Sequence, residues 1–152
     1  MQNIYRASLE AMFKNNSTAL LTCSSLINTK LVVESFLKHA QEYVYIFSSH
    51  LDSGIFDDPR IVACAKDALC RGIAIDACTQ KPAGPSEFKE LLGELTEGVG
   101  QKLPYEFIVV DGKAFIFKVA NRATASVFAK APKLAGELEG IFLRLQKSKE
   151  CL

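Results

Sequence analysis

The sequence predicts an α/β domain whose sheet is mixed, largely parallel and flanked by helices on both faces. In the first half of the chain, short apolar runs alternate with amphipathic segments. Strands that alternate with helices through short connections favour right-handed βαβ units and parallel strand pairs. The second half adds one hairpin signal. With 152 residues, 49% of them apolar and 23% charged, the chain is typical of one globular domain. We therefore expect a single domain over 1–152, with 1–16 as an added N-terminal helix.

The elements of the first half follow from periodicity and capping. Ile4, Leu9 and Phe13 recur at helical spacing and predict the first helix. Thr29 is the expected N-cap of the second helix. Asp58-Pro59 begins the third, because an acidic cap followed by proline favours a helix start, and Gly72 suits its C-terminal cap. Apolar or β-branched runs predict strands over 19–24, 43–47 and 73–78.

The second half contains the hairpin signal. Ser86 is expected to cap a helix that runs to about Thr96. Strands over 107–110 and 114–119 flank Asp111-Gly112, a dipeptide typical of hairpin turns. A short strand over 126–129 and a closing helix from Pro132 complete the predicted domain.

Composition narrows the classes of partner. The net charge is +1, from 18 basic and 17 acidic residues. Proteins that hold nucleic acid through phosphate contacts usually carry a basic excess. Here the densest basic stretch is Arg144, Lys147 and Lys149, so nucleic acid is a possible partner but not the favoured one.

Cysteine and histidine usage indicates a reducing compartment and no metal. The five cysteines are odd in number and form no C-x-x-C pair, which favours reduced structural thiols and a cytoplasmic location. The two histidines, His39 and His50, lack zinc-finger spacing. No apolar run approaches the roughly 18 residues of a membrane span. We expect no metal, no cofactor and no membrane association.

The segment 107–121, F-I-V-V-D-G-K-A-F-I-F-K-V-A-N, resembles the motif region of the phospholipase D superfamily. The likeness is greatest to the small bacterial endonucleases that carry one motif copy per chain. In that family a strand reads H-x-K-x-x-x-x-D, and the next leads to a G-S-x-N loop. Asp111 falls on the motif Asp and Asn121 on the Asn, while Arg71-Gly72-Ile73 is similar to the family's R-G-V. The resemblance spans about 19–149 and implies a phospholipase D-like fold.

Two departures from the motif decide the expected function. Pro104 stands where the family has its nucleophilic His, and Glu106 where it has Lys. Phosphodiester chemistry in this family needs an imidazole nucleophile and a cation that stabilises the phosphoryl oxygens. Neither proline nor glutamate supplies these. We therefore expect no catalytic residue, and interpret the chain as a pseudoenzyme that acts as a protein-binding or inhibitory adaptor module.

The candidate binding residues are Ser48, Ser49, His50, Asp111 and Asn121. The first three follow a predicted strand at its carboxyl end, where open α/β sheets bind ligands. A purely structural interpretation is open for each of the others: Asp111 makes the hairpin turn and Asn121 shapes a loop. His50 has the alternative of being an ordinary surface histidine.

Two other functions remain open. In the first alternative, the chain is a nucleic-acid-binding module that retains the groove of a nuclease. In the second, it is a phosphodiesterase or nuclease that uses His50 as a displaced nucleophile. In the family two motif copies meet across an interface, so one copy implies a homodimer by analogy. The expected contact is the face near Asp111 and the closing helix, because the apolar strands there need cover.

Overall fold

The structure, a computed structural model, describes residues 2–99 and 102–150, with side chains from 4 to 99 and from 102 to 147. Lys149, named above, and the fifth cysteine, Cys151, lie outside the described side chains. The helices are α1 (Gln2–Lys14), α2 (Leu26–His39), α3 (Ser53–Phe56), α4 (Pro59–Cys70), α5 (Glu87–Leu91) and α6 (Pro132–Glu150). The strands are β1 (Leu20–Cys23), β2 (Tyr43–Ser48), β3 (Ala74–Thr79), β4 (Glu94–Thr96), β5 (Tyr105–Val110), β6 (Ala114–Val119) and β7 (Ala125–Phe128).

The seven strands form one mixed sheet in the order β1-β7-β6-β5-β2-β3-β4. Only β2–β3 and β3–β4 are parallel pairs, whereas the other four neighbouring pairs are antiparallel. The expectation of a largely parallel sheet was therefore wrong. After β4 the chain returns as β5, which pairs antiparallel with β2. The β5–β6 hairpin therefore lies between β2 on one side and β7 on the other.

Capping side chains set the helix starts. Asp58, the residue before Pro59, accepts a hydrogen bond from the Arg60 amide and caps the start of α4. Gly72, just past the end of α4, has a φ of 87°. The predicted start and the predicted end of this helix are therefore both confirmed. The second helix begins earlier than expected. Ser25 is its N-cap, through a 3.1 Å bond from the Asn28 amide. Thr29 instead lies inside the helix, where its hydroxyl donates to the Ser25 carbonyl at 2.8 Å.

The predicted helix from Ser86 to Thr96 was too long. Ser86 does cap α5, but the helix ends at Leu91 and β4 follows. The Gly93 amide donates to the Ile75 carbonyl at 2.8 Å, and a Cβ at Gly93 would lie 3.0 Å from Asp76 Oδ1. Pairing with β3 therefore overrides the helical pattern, at a residue where only glycine fits without displacement.

The two faces of the sheet carry separate hydrophobic cores, which confirms helices on both sides. One core lies beneath α2 and α4 and includes Ile46, Ile75 and Ile108. The other lies beneath α6, where Leu138 and Phe142 cover the apolar side chains of the hairpin. The strand surface that motivated a homodimer is thus covered within the chain. The homodimer remains a prediction, without that argument for it.

The first helix is fastened to the rest by polar contacts. The Glu34 side chain of α2, only 7% exposed, forms salt bridges with Arg6 at 3.2 Å, Lys38 at 3.4 Å and Arg60 at 3.4 Å. Tyr5 donates its hydroxyl to the Thr22 carbonyl of edge strand β1 at 3.0 Å. These salt bridges link α1 and α4 to α2. Removing one of the cations would destabilise the fold, because it would leave the buried carboxylate less well compensated.

Among the described residues, no helix has the length and apolar character needed to cross a membrane.

Candidate binding site

Three neighbouring strands place polar side chains in one row at one end of the sheet. Glu106 lies directly opposite Lys118 in the β5–β6 register, and Phe47 opposite Phe107 puts Ser48 beside Glu106. Because side chains alternate along a strand, all three point to the face covered by α2. The row one step further in is apolar.

A cavity of about 430 Å³ opens at this row, and we call it the α2 pocket. Its floor contains the apolar row Ile46, Ile108 and Ile116; α2 and α3 also line it. The remaining polar or charged lining consists of Ser24, Ser25, Thr29, Ser48, His50, Asp52, Glu106 and Lys118. An apolar interior with a few converging polar groups is the usual make-up of a small-molecule site.

Glu106 holds the loop that follows β2. Its Oε1 accepts a 2.7 Å hydrogen bond from the Ser49 amide. Within the same loop, Ser48 Oγ accepts from the Leu51 amide at 3.1 Å. Leu51 has a φ of 56°, in a left-handed region that costs roughly 1–2 kcal/mol for an L residue. These bonds stabilise a strained loop that leaves His50 exposed at the pocket.

The charged groups of the pocket differ in their partners. Both carboxylates accept from backbone amides, Glu106 as above and Asp52 from the Gly54 amide at 2.8 Å. The ammonium of Lys118 is exposed and makes no salt bridge among the side chains from 4 to 99 and 102 to 147. The first turn of α2, the positive end of a helix dipole, also faces the pocket. Of these three charged groups, Lys118 is therefore the one without a hydrogen-bonded protein partner in the described part of the chain.

A second cavity of about 640 Å³, which we call the Asn121 cleft, lies on the other side of Glu106 and Lys118. It is lined by Ser49, Gln80, Lys102, Leu103, Pro104, Tyr105, Glu106, Lys118, Ala120 and Asn121. Asn121 is exposed with a φ of 71°, a backbone conformation that asparagine tolerates better than most residues. Both pockets thus meet at the Glu106–Lys118 pair.

The structure brings together all but one of the residues expected at the site. Ser48, Ser49, His50 and Asn121 lie at the end of the sheet that also carries Pro104 and Glu106. Asp111 lies at the other end of β5, five strand residues and roughly 17 Å away. Its carboxylate accepts from the amides of Gln41 at 2.9 Å, Glu42 at 2.8 Å and Tyr43 at 3.0 Å.

Asp111 also makes the turn that its sequence context predicts. It has a φ of 55°, and the following Gly112 has a φ of 66°. The Lys113 amide donates to the Val110 carbonyl at 3.0 Å and closes the turn. Left-handed conformations at both central residues are those of a type I′ hairpin, so the hairpin prediction is confirmed.

Lys118, Asp52 and the first turn of α2 are parts of the site that sequence reasoning missed. By the motif resemblance, Lys118 stands only at the Gly position of the family's G-S-x-N loop, which gives it no expected role. Its place follows from the hairpin: once Val110 and Ala114 flank the turn, counting outward pairs Glu106 with Lys118. Asp52 and the start of α2 approach the pocket through tertiary packing, for which the sequence holds no local signal.

Metal binding has no support in the described part of the chain, where no three side chains among His, Cys, Asp and Glu come together as ligands. The four cysteines described, Cys23, Cys64, Cys70 and Cys78, are free thiols. Burial raises the pKa of the Cys78 thiol to about 12, so this thiol is protonated at neutral pH.

No protein-family model and no curated protein sequence matches the chain. Solved structures do match. Nuc from Salmonella typhimurium, a phospholipase D family member, is similar with a TM-score of 0.59 and 15% identity over 85% of this chain and 94% of its own. TrmBL2, an archaeal chromatin protein whose structure shows a mode of DNA binding, is similar with a TM-score of 0.59 and 13% identity. That match covers 94% of this chain and 58% of TrmBL2, so this chain spans little more than half of TrmBL2. Likeness at such identities concerns the fold, and the chain has a phospholipase D-like mixed α/β fold.

Proposed function

We propose that this chain is a phospholipase D-like domain that acts by binding and does not cleave phosphodiesters. The observation that carries the proposal is the 2.7 Å bond from the Ser49 amide to Glu106. By the motif resemblance, Glu106 occupies the place of the family's catalytic lysine. Here a carboxylate anchors a loop at that place, a structural use that does not require phosphate chemistry.

Electrostatics and the nucleophile position support this proposal. A carboxylate about 4 Å from a phosphoryl oxygen repels it by roughly 4 kcal/mol at an effective dielectric of 20. Pro104, at the nucleophile position, has no atom able to attack phosphorus. A phosphodiesterase built on this motif would therefore lack both its nucleophile and its cation.

We propose a protein as the binding partner. Leu26 and Ile27, in the first turn of α2, are each 52% exposed, and Leu26 lines the mouth of the α2 pocket. Large apolar side chains exposed beside a pocket are common in protein contact sites. Inhibitory or adaptor action is the form of binding we favour.

Nucleic-acid binding is the second candidate, because a structural neighbour is a DNA-binding chromatin protein. Two lysines, Lys102 and Lys118, line the Asn121 cleft. Titration with duplex DNA at several salt concentrations separates the candidates. Affinity that falls steeply with salt and drops in Lys102→Met with Lys118→Met would favour nucleic acid.

Hydrolysis of bis(p-nitrophenyl) phosphate tests the loss of catalysis. We expect no turnover above a buffer blank, and none in the Pro104→His, Glu106→Lys double variant, since catalytic groups work only within about half an ångström of their required geometry. The other histidine, His39, bonds to Glu10 on α1 at 2.9 Å and provides the control position. Turnover that disappears in His50→Ala but survives in His39→Ala would establish the phosphodiesterase alternative and overturn the proposal.

A further inference from the structure

We propose that the α2 pocket binds an organic monocarboxylate with an apolar body, its carboxylate at Lys118 and its body over Ile46, Ile108 and Ile116. The inference rests on the proposed function, since it names the ligand of the same non-catalytic site. It is carried by the combination of an apolar floor and one cation that has no protein partner among the described residues.

The floor selects an apolar body. Ile46 is 1% exposed, and Ile108 and Ile116 are each 7% exposed, so these side chains form a continuous part of the hydrophobic core that ends at the pocket. Their neighbours at the wall include Val33 of α2 and Phe56 of α3. A cavity of about 430 Å³ lies in the range that holds small organic ligands, roughly 300–1,000 Å³.

The charges select a single negative group. Glu106 and Asp52 already accept backbone hydrogen bonds, whereas the Lys118 ammonium offers three donors and makes no salt bridge among the described side chains. The positive end of α2 adds to its field. A ligand anion can therefore pair with Lys118 without breaking a salt bridge of the described side chains.

The same two carboxylates limit the charge that the ligand can carry. Glu106 and Asp52 line the pocket with Lys118, and they repel a dianion more strongly than a monoanion. A phosphate monoester at neutral pH is close to a dianion. A monocarboxylate has one charge and two acceptor oxygens, which match one lysine and the rim hydroxyls of Ser24 and Ser25.

Calorimetric titration of the whole chain tests the charge selection with octanoate, octylammonium and inorganic phosphate as probes. We expect octanoate to bind more tightly than the other two. Lys118→Met should weaken octanoate on the order of tenfold, the equivalent of one charge-assisted hydrogen bond. Lys113→Met, at the turn end of the same hairpin, is the matched control and should leave octanoate binding unchanged.

Amide and methyl chemical shifts identify the place of binding. On octanoate addition, the methyl signals of Ile46, Ile108 and Ile116 should move, and those of Val109 beneath α6 should not. Tighter binding of octylammonium or phosphate than of octanoate, or equal octanoate affinity in Lys118→Met, would overturn the inference, and so would the absence of binding by both octanoate and the peptide carboxylate described next.

Two sources of such a carboxylate are distinguished by a peptide arm. Acetyl-Gly-Leu with a free carboxylate, compared with its C-terminal amide, represents the end of a protein chain. Tighter binding of this peptide than of octanoate supports the inference with a protein C-terminus as the ligand; the reverse supports it with a small acid. Failure in every arm with no diester turnover refutes the inference alone, whereas His50-dependent turnover refutes the proposed function.

Discussion

The two ends of the β5–β6 hairpin use their charged residues in opposite ways. At the turn end, the Asp111 carboxylate accepts three backbone amides, and Tyr43 donates its hydroxyl to Glu139 at 2.8 Å. At the open end, Glu106 and Lys118 face each other in register, and within the described part of the chain only Glu106 has a hydrogen-bonded protein partner. Saturated hydrogen bonding stabilises the turn end. Incomplete pairing at the open end leaves a cation available to the ligand that we propose.

Asp111→Ala should break this comparison most strongly. It removes three charge-assisted hydrogen bonds and leaves alanine with a φ above zero, so we expect a loss of about 3 kcal/mol in the free energy of unfolding. Urea denaturation measures it. Asp111→Asn is the control, because asparagine tolerates this φ and retains one acceptor, and it should lose about half as much. A loss below about 1 kcal/mol in the alanine variant would show that the three bonds do not hold the turn end.

Glu106→Ala should have a smaller effect on stability and a local one on the loop. Only one backbone bond is lost, so we expect about 1.5 kcal/mol. Hydrogen exchange of the Ser49 amide should accelerate, because its acceptor is gone, while exchange in α6 should follow the global change only. Glu106→Gln retains an acceptor oxygen and should keep most of the protection. Unchanged Ser49 exchange in the alanine variant would contradict the anchoring role.

Tyr43→Phe tests the turn end as a function of pH. Burial first, and then the hydrogen bond to Glu139, raise the pKa of Tyr43; burial likewise raises the pKa of Tyr45. An unfolded tyrosine ionises near pH 10. The stability that these groups contribute is therefore complete below about pH 10 and declines as pH rises towards the folded pKa values.

At neutral pH we expect Tyr43→Phe to lose about 1 kcal/mol of unfolding free energy. Above about pH 10, the stability of the variant should decline less steeply than that of the parent chain, since one raised pKa has been removed. Thermal unfolding between pH 7 and 11 measures both. A variant with an equal or steeper alkaline decline would contradict the assignment to Tyr43.

Lys118→Met should produce the smallest change in stability. An exposed lysine without a salt bridge contributes within roughly 0.5 kcal/mol, so the midpoint of urea unfolding should be nearly unchanged. Together with Asp111→Ala, this variant separates fold maintenance at one end of the hairpin from the ligand binding that we propose at the other. A loss above about 1 kcal/mol would reveal a structural role for the lysine.

Local chemistry was predictable from the sequence, and strand partners were not. The Asp58-Pro59 start and the Asp111-Gly112 turn depend on residues adjacent in the chain, and both were found where expected. The helix to Thr96 failed because residues 94–96 pair with β3, a contact made across the fold. The largely parallel sheet failed for the same reason, since nothing near β5 indicates that β2 will be its antiparallel neighbour.

The candidate site shows the same division. Ser48, Ser49 and His50 were predictable because they end a strand, and Pro104 and Glu106 because the motif fixes their count from Asp111. The motif count also led us to place Asp111 with the others, although a strand of six residues separates the two ends of β5. A motif gives only the spacing of residues along the chain. When an extended strand lies between them, residues that are close in the motif are far apart in the fold.

The contact of Tyr5 with β1 affects solubility. A sheet edge offers unpaired carbonyl and amide groups on which a strand of another molecule can assemble. β1 is such an edge in this sheet, with Leu20 53% exposed. The Tyr5 hydroxyl of α1 donates to one of these edge groups, the Thr22 carbonyl. We therefore expect that removal of α1 would free this acceptor and make the edge more open to assembly with other molecules.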